Sequence, residues 1–512
     1  MSDRGTGRPT GPETDTGAPE RPPASPRALT LAEALLPILT MLVLFVAGVV
    51  FLQLSAELLV AVLLGSAAVA GIIAVRHGCT WDDIQRSTGD KLASVLPAVL
   101  ILLSIGMLIA TWVLSGTIPF MVYWGVRLVS PRYLVLTAFL ATATMSLFTG
   151  TSWGSAGTIG VALMGTAAAL HAPLATTAGA VVSGAYLGDK MSPLSDSTNI
   201  SAIGAGAQLY RHIRHMMYTA TPSFILCLVV YTLAARLVPV AAGGMPQSAR
   251  TLLSDITSVF SLNWLVLLPP AIVIWSIIRK NPPALAIAAS SLVAAAIGVL
   301  LQGFALQDAV ISAVGGFHAD MVASVGADPT SLGEAFRTLV NRGGLYSMAN
   351  TLIVIIAAFL LAGAMDVSGA LNLLIDRMLA AVRSVFGLIG STMAAGGTMI
   401  ALTSHGGVTA LVIGELFQKA YDERSLARVN LSRSIEDSVT ITEPLMPWTV
   451  SAVFMATTLG VPTIHYAPWA CFCYGGPVFS LLIAGLYRHT GFGIRRAQEE
   501  PRPQHSVPPA VL

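Results

Sequence analysis

From Leu35 to Leu54, and again from Leu58 to Val75, the chain is almost continuously apolar, with only Ser55, Ala56 and Glu57 between the runs. About 20 apolar residues let a helix cross roughly 30 Å of hydrocarbon, so this pattern predicts a tight transmembrane hairpin. Further apolar segments follow at 92–114, 133–149, 155–170, 175–187, 216–237, 262–278, 282–302, 346–365, 386–402, 407–418, 446–459 and 466–487. Several are too short to span, and the breaks between them are Gly, Ser and Thr clusters rather than charged loops. Backbone released from helical hydrogen bonds survives at membrane depth only inside protein or along a wet cavity. The pattern therefore predicts an all-α polytopic membrane protein with re-entrant hairpins and broken helices, whose breaks are candidate site positions.

The breaks recur. "VLSGTIP" resembles "DVSGALN", and "GTSWGSAGT" resembles "LTSHGGVTA". Gly116 and Gly369 are 253 residues apart, Thr151 and Thr403 252, and Asp189 and Asp437 248. One nearly constant offset for three landmarks points to a duplicated unit, a common build of secondary transporters, with the site between the halves. The expected organisation is a tail (1–28), an N-terminal hairpin and polar loop (29–91), a first repeat (92–237), connecting spans and loop (238–337), a second repeat (338–487) and a C-terminal tail (488–512).

Composition narrows the class. Of 512 residues 54% are hydrophobic and 11% charged, the mean hydropathy is +0.74 and the formal net charge is +2. No basic stripe suggests a nucleic-acid partner. Residues 1–28, rich in Pro, Gly and Thr, are expected to be disordered and contain no signal-peptide apolar core. Arg21, Arg27, Arg76, Arg86 and Lys91 flank the first hairpin and place the N-terminus in the cytoplasm by the positive-inside bias. Cys79, Cys227, Cys471 and Cys473 have neither disulfide-framework nor metal-site spacing and read as small apolar residues.

Each repeat pairs a Ser/Thr/Gly break with an acidic one. In the first, "GDKMSPLSDSTN" offers Asp189, Ser192, Asp196, Ser197, Thr198 and Asn199; in the second, "SIEDSVTITEPLMPW" offers Glu436, Asp437, Ser438, Thr440, Thr442 and Glu443. Carboxylates, hydroxyls, amides and carbonyls are the ligands a hard cation such as sodium requires. A carboxylate at the bilayer centre costs about 2.5–3.5 kcal/mol on the insertion scale. Desolvation also raises the pKa of a carboxylate, which lets proton and metal ion compete for one site. Lys190 and Arg433 are candidate counter-charges for an empty site, or salt-bridge residues joining helices. The bland alternative is that both clusters are turns in aqueous loops. Thr151, Ser152, Ser404, His405 and Glu443 are candidate substrate contacts. A lone His405 is more often a hydrogen-bonded structural residue than a proton carrier, Asp366 reads as a site acid or a helix-end cap, and Trp153 and Trp448 read as packing or interfacial residues. A hydrolase built on Ser404 and His405 lacks any sign of a third orienting group, so no enzyme activity is expected.

"TGTSWGSAGTIGVALMG", "GAYLGDKMSPLSDSTN" and "LSRSIEDSVTITEPLMPWTVSAVFMATTLGV" resemble the NhaC family of sodium/proton antiporters, from about Leu92 to Tyr487. The resemblance implies an inverted repeat with two hairpins whose tips meet near the ion site. It carries Asp189, Ser192, Asp196, Thr198, Asn199, Glu436 and Asp437 over as site residues. It also implies sodium and proton as transported partners, a cytoplasmic-membrane location and no cofactor. Membrane lipid is the surrounding partner, no nucleic acid is expected, and a homodimer is a candidate assembly. Glu443 departs from the family pattern as an extra acid. It keeps open a sodium- or proton-coupled carrier of an amino acid or small organic acid.

Overall fold

A computed structural model describes residues 29–52, 56–237, 247–279, 281–380 and 384–497. The expected N-terminal tail, 1–28, and residues 498–512 of the expected C-terminal tail, 488–512, lie outside the described residues; residues 488–497 are described, the last helix continuing to Thr490 and Arg495 N–H donating to Asn430 Oδ1 at 3.0 Å. Among those described there are 24 α-helices and no strands. Nine helices are long and apolar enough to cross a membrane, or up to eleven if each of two bent pairs is one span.

The predicted hairpin is α1 (Leu31–Phe51) and α2 (Ala56–Arg76). Thr30 and Glu33 form a reciprocal capping box that starts α1. Leu39, Leu42, Val43, Val46 and Val50 of α1 face outward, the surface that hydrocarbon solvates. The polar loop expected after α2 is instead helical: α3 (Trp81–Ser94) is begun by a second capping box, Thr80 with Asp83. Its polar composition hides an amphipathic pattern whose buried side carries Ile84 and Thr88. The capping bonds hold the exposed Asp83 carboxyl below its usual range, the Thr80 side chain contributing most.

Within the expected first repeat lie α4 (Leu96–Leu114), α5 (Thr117–Leu128), α6 (Leu134–Thr149), α7 (Ser152–Ser155), α8 (Val161–Ala169), α9 (Leu174–Met191), α10 (Asp196–Ala205) and α11 (Leu209–Leu237). There follow α12 (Gln247–Val259), α13 (Leu268–Ile278), α14 (Pro283–Leu300), α15 (Leu306–Gly315) and α16 (Glu334–Val340). Within the expected second repeat lie α17 (Ala349–Val367), α18 (Ala370–Ala380), α19 (Val385–Thr403), α20 (Gly406–Asp422), α21 (Arg428–Ile435), α22 (Val450–Leu459), α23 (Thr463–Tyr466) and α24 (Cys471–Thr490).

The duplication is visible in local geometry. Both α4 and α17 end on a Ser-Gly pair whose glycine is left-handed, Gly116 at φ 77° and Gly369 at φ 73°. The repeats are inverted. α4 starts directly after α3, whereas the last turn of α17 returns to α3, where Asp366 accepts from Ser87 Oγ at 3.2 Å and pairs with Lys91 at 3.1 Å. The start of one repeat and the end of the first span of the other therefore lie on the same face. Asp366, left open above as a site acid or a cap, is a surface tie between α17 and α3. Trp153 stacks on Phe454 at 4.4 Å, and Trp448 donates to Ala401 O at 2.6 Å; both are packing residues.

Candidate functional site

The two Thr-Ser breaks interrupt helices in the same way. α6 stops on Gly150 at φ 67°, after which the Thr151 hydroxyl accepts from Gly154 N–H at 3.2 Å and starts α7. α19 stops on Ser404 at φ 59°, and His405 precedes α20. Each break packs against the acidic break of its own repeat. A β-carbon on Gly150 would lie 2.7 Å from the Leu194 backbone, and Ser404 O accepts from Val450 N–H at 3.1 Å, at the start of α22. Gly150→Ala therefore forces a left-handed alanine, about 1–2 kcal/mol, into contact with Leu194. A lowered thermal midpoint of the detergent-solubilised protein is the expected result.

Asp189 lies in the last turn of α9 and is 8% exposed. Ser197 Oγ donates to its Oδ2 at 3.4 Å, with Ser152 and Ser195 also beside it. Thr198 Oγ1 donates to the carbonyls of Asp189 and Lys190 at 3.2 and 3.1 Å, closing the α9 terminus. Across the repeat boundary, Glu436 opens a wide turn, Glu436–Thr440, that continues α21 in π geometry. Ser201 Oγ, on α10 of the first repeat, donates to Glu436 Oε2 at 2.5 Å, and Thr440 Oγ1 donates to Glu436 O at 3.0 Å. The Glu436 carboxylate acts electrostatically on Asp189, so one acid from each repeat shares this buried, hydroxyl-lined space.

The next residue on each element makes the opposite arrangement. Lys190 forms an ion pair with Asp437, both side chains fully buried. Thr219 of α11 accepts from Lys190 Nζ at 3.3 Å and donates to Asp437 Oδ1 at 3.2 Å. Lys190 thus neutralises Asp437, and Arg433 spends Nη1 on Gly493 O at 2.6 Å rather than on a carboxylate. Asp189 and Glu436 are left as two buried acids with hydroxyl neighbours, the type of hard oxygen donor that an alkali cation takes in place of water.

Other residues singled out in the sequence are placed differently. Asp196 is exposed in the first turn of α10, because Ser195 caps that helix and turns the next side chain to the surface. Ser192 Oγ accepts from Leu194 N–H at 3.3 Å, and Asn199 Nδ2 donates to the carbonyls of Pro193 and Ser195; both brace the break. Ser438 and Thr442 donate back one turn, to Ser434 O and Ser438 O. Glu443 is buried beside Gly406 and Ser451, at the amide ends of α20 and α22, where helix dipoles favour a negative charge. Ser404 Oγ and His405 Nδ1 have no hydrogen-bond partner among the described residues. Sequence reasoning missed Ser201 and Thr219. The available signal for Thr219 was the polar stripe His212, His215, Thr219 and Ser223, spaced along one face of an otherwise apolar span.

A sequence model of the Na+/H+ antiporter family matches residues 22–207 and 184–486. A Haemophilus influenzae protein described as an uncharacterized Na(+)/H(+) antiporter is 42% identical over 92% of this chain and 98% of its own length. The Na(+)/H(+) antiporter NhaC of Alkalihalophilus pseudofirmus is 33% identical over 82% of this chain and 87% of its own. The arginine/ornithine antiporter ArcD of Halobacterium salinarum is 30% identical over 94% of this chain and 96% of its own.

Proposed function

The chain belongs to the NhaC branch of the Na+/H+ antiporter family, and from that premise we propose that it exports sodium, with lithium as a second candidate ion, across the cytoplasmic membrane in exchange for protons. The observation that carries this reading is that Asp189 and Glu436, one from each repeat, are buried together while the adjacent cation, Lys190, is committed to Asp437. Burial of carboxylates without a counter-charge disfavours their ionised form, so the pair gains from taking up either a proton or a sodium ion. Competition for one site makes the two fluxes obligatorily opposed. The helix breaks let each repeat alter the exposure of that site to either side of the membrane. The residue boundaries given above for the two repeats belong to this proposal.

The test is made in liposomes containing the purified protein and an imposed pH gradient. Sodium added on the trans side collapses the gradient, and failure to do so sinks the reading. The exposed Asp82 of α3 serves as control: Asp82→Asn leaves the exchange rate within about twofold, because a surface charge in water carries little energy.

One observation favours a second reading, a carrier of an amino acid. Glu443 is an additional buried acid near Ser404 and His405, whose Oγ and Nδ1 are unpartnered, and one relative is named an arginine/ornithine antiporter. Uptake of labelled arginine or ornithine that disappears in Glu443→Ala selects this reading. Sodium-driven proton exchange without such uptake selects the first.

A further inference from the structure

Three helices turn polar side chains toward one buried seam next to Asp437. On α11, His212, His215 and Thr219 share a helix face and are fully buried. α21 contributes Arg433, one turn before Asp437. α24 contributes Ser480, one turn beyond Gly476, where a β-carbon would stand 2.9 Å from Asp437 Oδ1. Among the described residues, both ring nitrogens of each histidine, Nε and Nη2 of Arg433, Ser480 Oγ and Asp437 Oδ2 have no hydrogen-bond partner. A buried polar group left dry costs about 1–3 kcal/mol, and native proteins meet that cost with internal water. Eight such atoms along one seam have the chemistry of a hydrated passage, not of a packed core.

The seam leads to a surface. The rings of His215 and Tyr218 are 5.3 Å apart, and those of Tyr218 and Phe492 are 5.0 Å apart. Tyr218, Phe492, Arg214 and Arg495 line a cavity of about 560 Å³ beside them. Arg214, Arg488, Arg495 and Arg496 flank the ends of α11 and α24 there, which makes this the cytoplasmic face by the positive-inside bias.

We propose that this seam is a water-filled passage from the cytoplasm to the Lys190–Asp437 pair, beside the Asp189–Glu436 acids, and that it conducts protons to and from them. Lys190 and Arg433 place two positive charges on its walls against one Asp437, which disfavours entry of hydrated sodium. Protons cross by transfer between waters and histidine nitrogens, each imidazole accepting at one nitrogen and releasing from the other. The proton role rests on the exchange reading above; the hydration does not.

The two are separated by thiol accessibility in the full chain, with Cys79, Cys227, Cys471 and Cys473 replaced by serine or alanine and Ser480→Cys or His215→Cys introduced singly. A membrane-impermeant anionic methanethiosulfonate, whose sulfenyl sulfur is attacked by thiolates in water with loss of methanesulfinate to leave a mixed disulfide, is applied to either side of the membrane. Both positions are modified from the cytoplasmic side, and a Leu482→Cys control, on the outward face of α24, is not. Protection of both seam cysteines from both sides overturns the passage. His215→Phe then lowers the exchange rate at least tenfold while sodium still raises the thermal midpoint; an unchanged rate overturns the proton role. Absence of exchange in the unaltered protein overturns the function reading alone, since the labelling result stands independently.

Discussion

Asp189→Asn reduces sodium-dependent proton exchange in proteoliposomes to the level of protein-free vesicles, without lowering the protein's thermal midpoint. Asparagine keeps the shape of aspartate and accepts from Ser197 as the carboxylate does, so local packing is retained. What it lacks is the charge that sodium neutralises and the oxygen that takes up a proton, and both half-reactions need that group. Stability moves in the favourable direction, because Asp189 is buried near Glu436 and makes no ion pair among the described residues. Removing a buried charge that lacks a partner recovers part of its desolvation cost. Sodium also ceases to raise the thermal midpoint of the variant, since a ligand stabilises only the state that binds it. Exchange at more than half the native rate, or a retained sodium shift, removes Asp189 from the site.

The Lys190–Asp437 pair gives the opposite signature. Asp437→Leu or Lys190→Met alone breaks a fully buried ion pair and strands one of its two charges, a loss of about 3–5 kcal/mol. The double replacement removes both charges and recovers most of that stability, because two apolar side chains of similar volume need no compensation. Exchange is not recovered. A double-mutant cycle on thermal or denaturant unfolding in detergent measures the coupling, and additive losses of the two single variants refute a buried pair. Asp437→Asn also stops exchange and, with Lys190 buried against that position, lowers stability as well.

The apolar runs, the hairpin and the three landmarks of the repeat were legible because hydrocarbon imposes length and composition on a span regardless of its neighbours. α3 was not, since its capping boxes and short buried stripe sit within a stretch whose overall polarity reads as a loop. Within the acidic break, "GDKMSPLSDSTN" announced chemistry but not its division of labour. Asp189 is buried, Asp196 is exposed one helix start later, and Ser192 and Asn199 hold the backbone.

The sequence by itself determined that this is a many-span membrane protein with a duplicated core and two acidic interruptions, because spans and breaks are properties of short segments. Only the tertiary structure decided which charges meet. Asp189 and Lys190 are neighbours in the chain, yet one faces Glu436 and the other pairs with Asp437, roughly 250 residues away. Consecutive side chains on a helix point about 100° apart, so the packing of α9 against α10, α11 and α24, not adjacency, decides that Asp437 receives the lysine and that Asp189 does not.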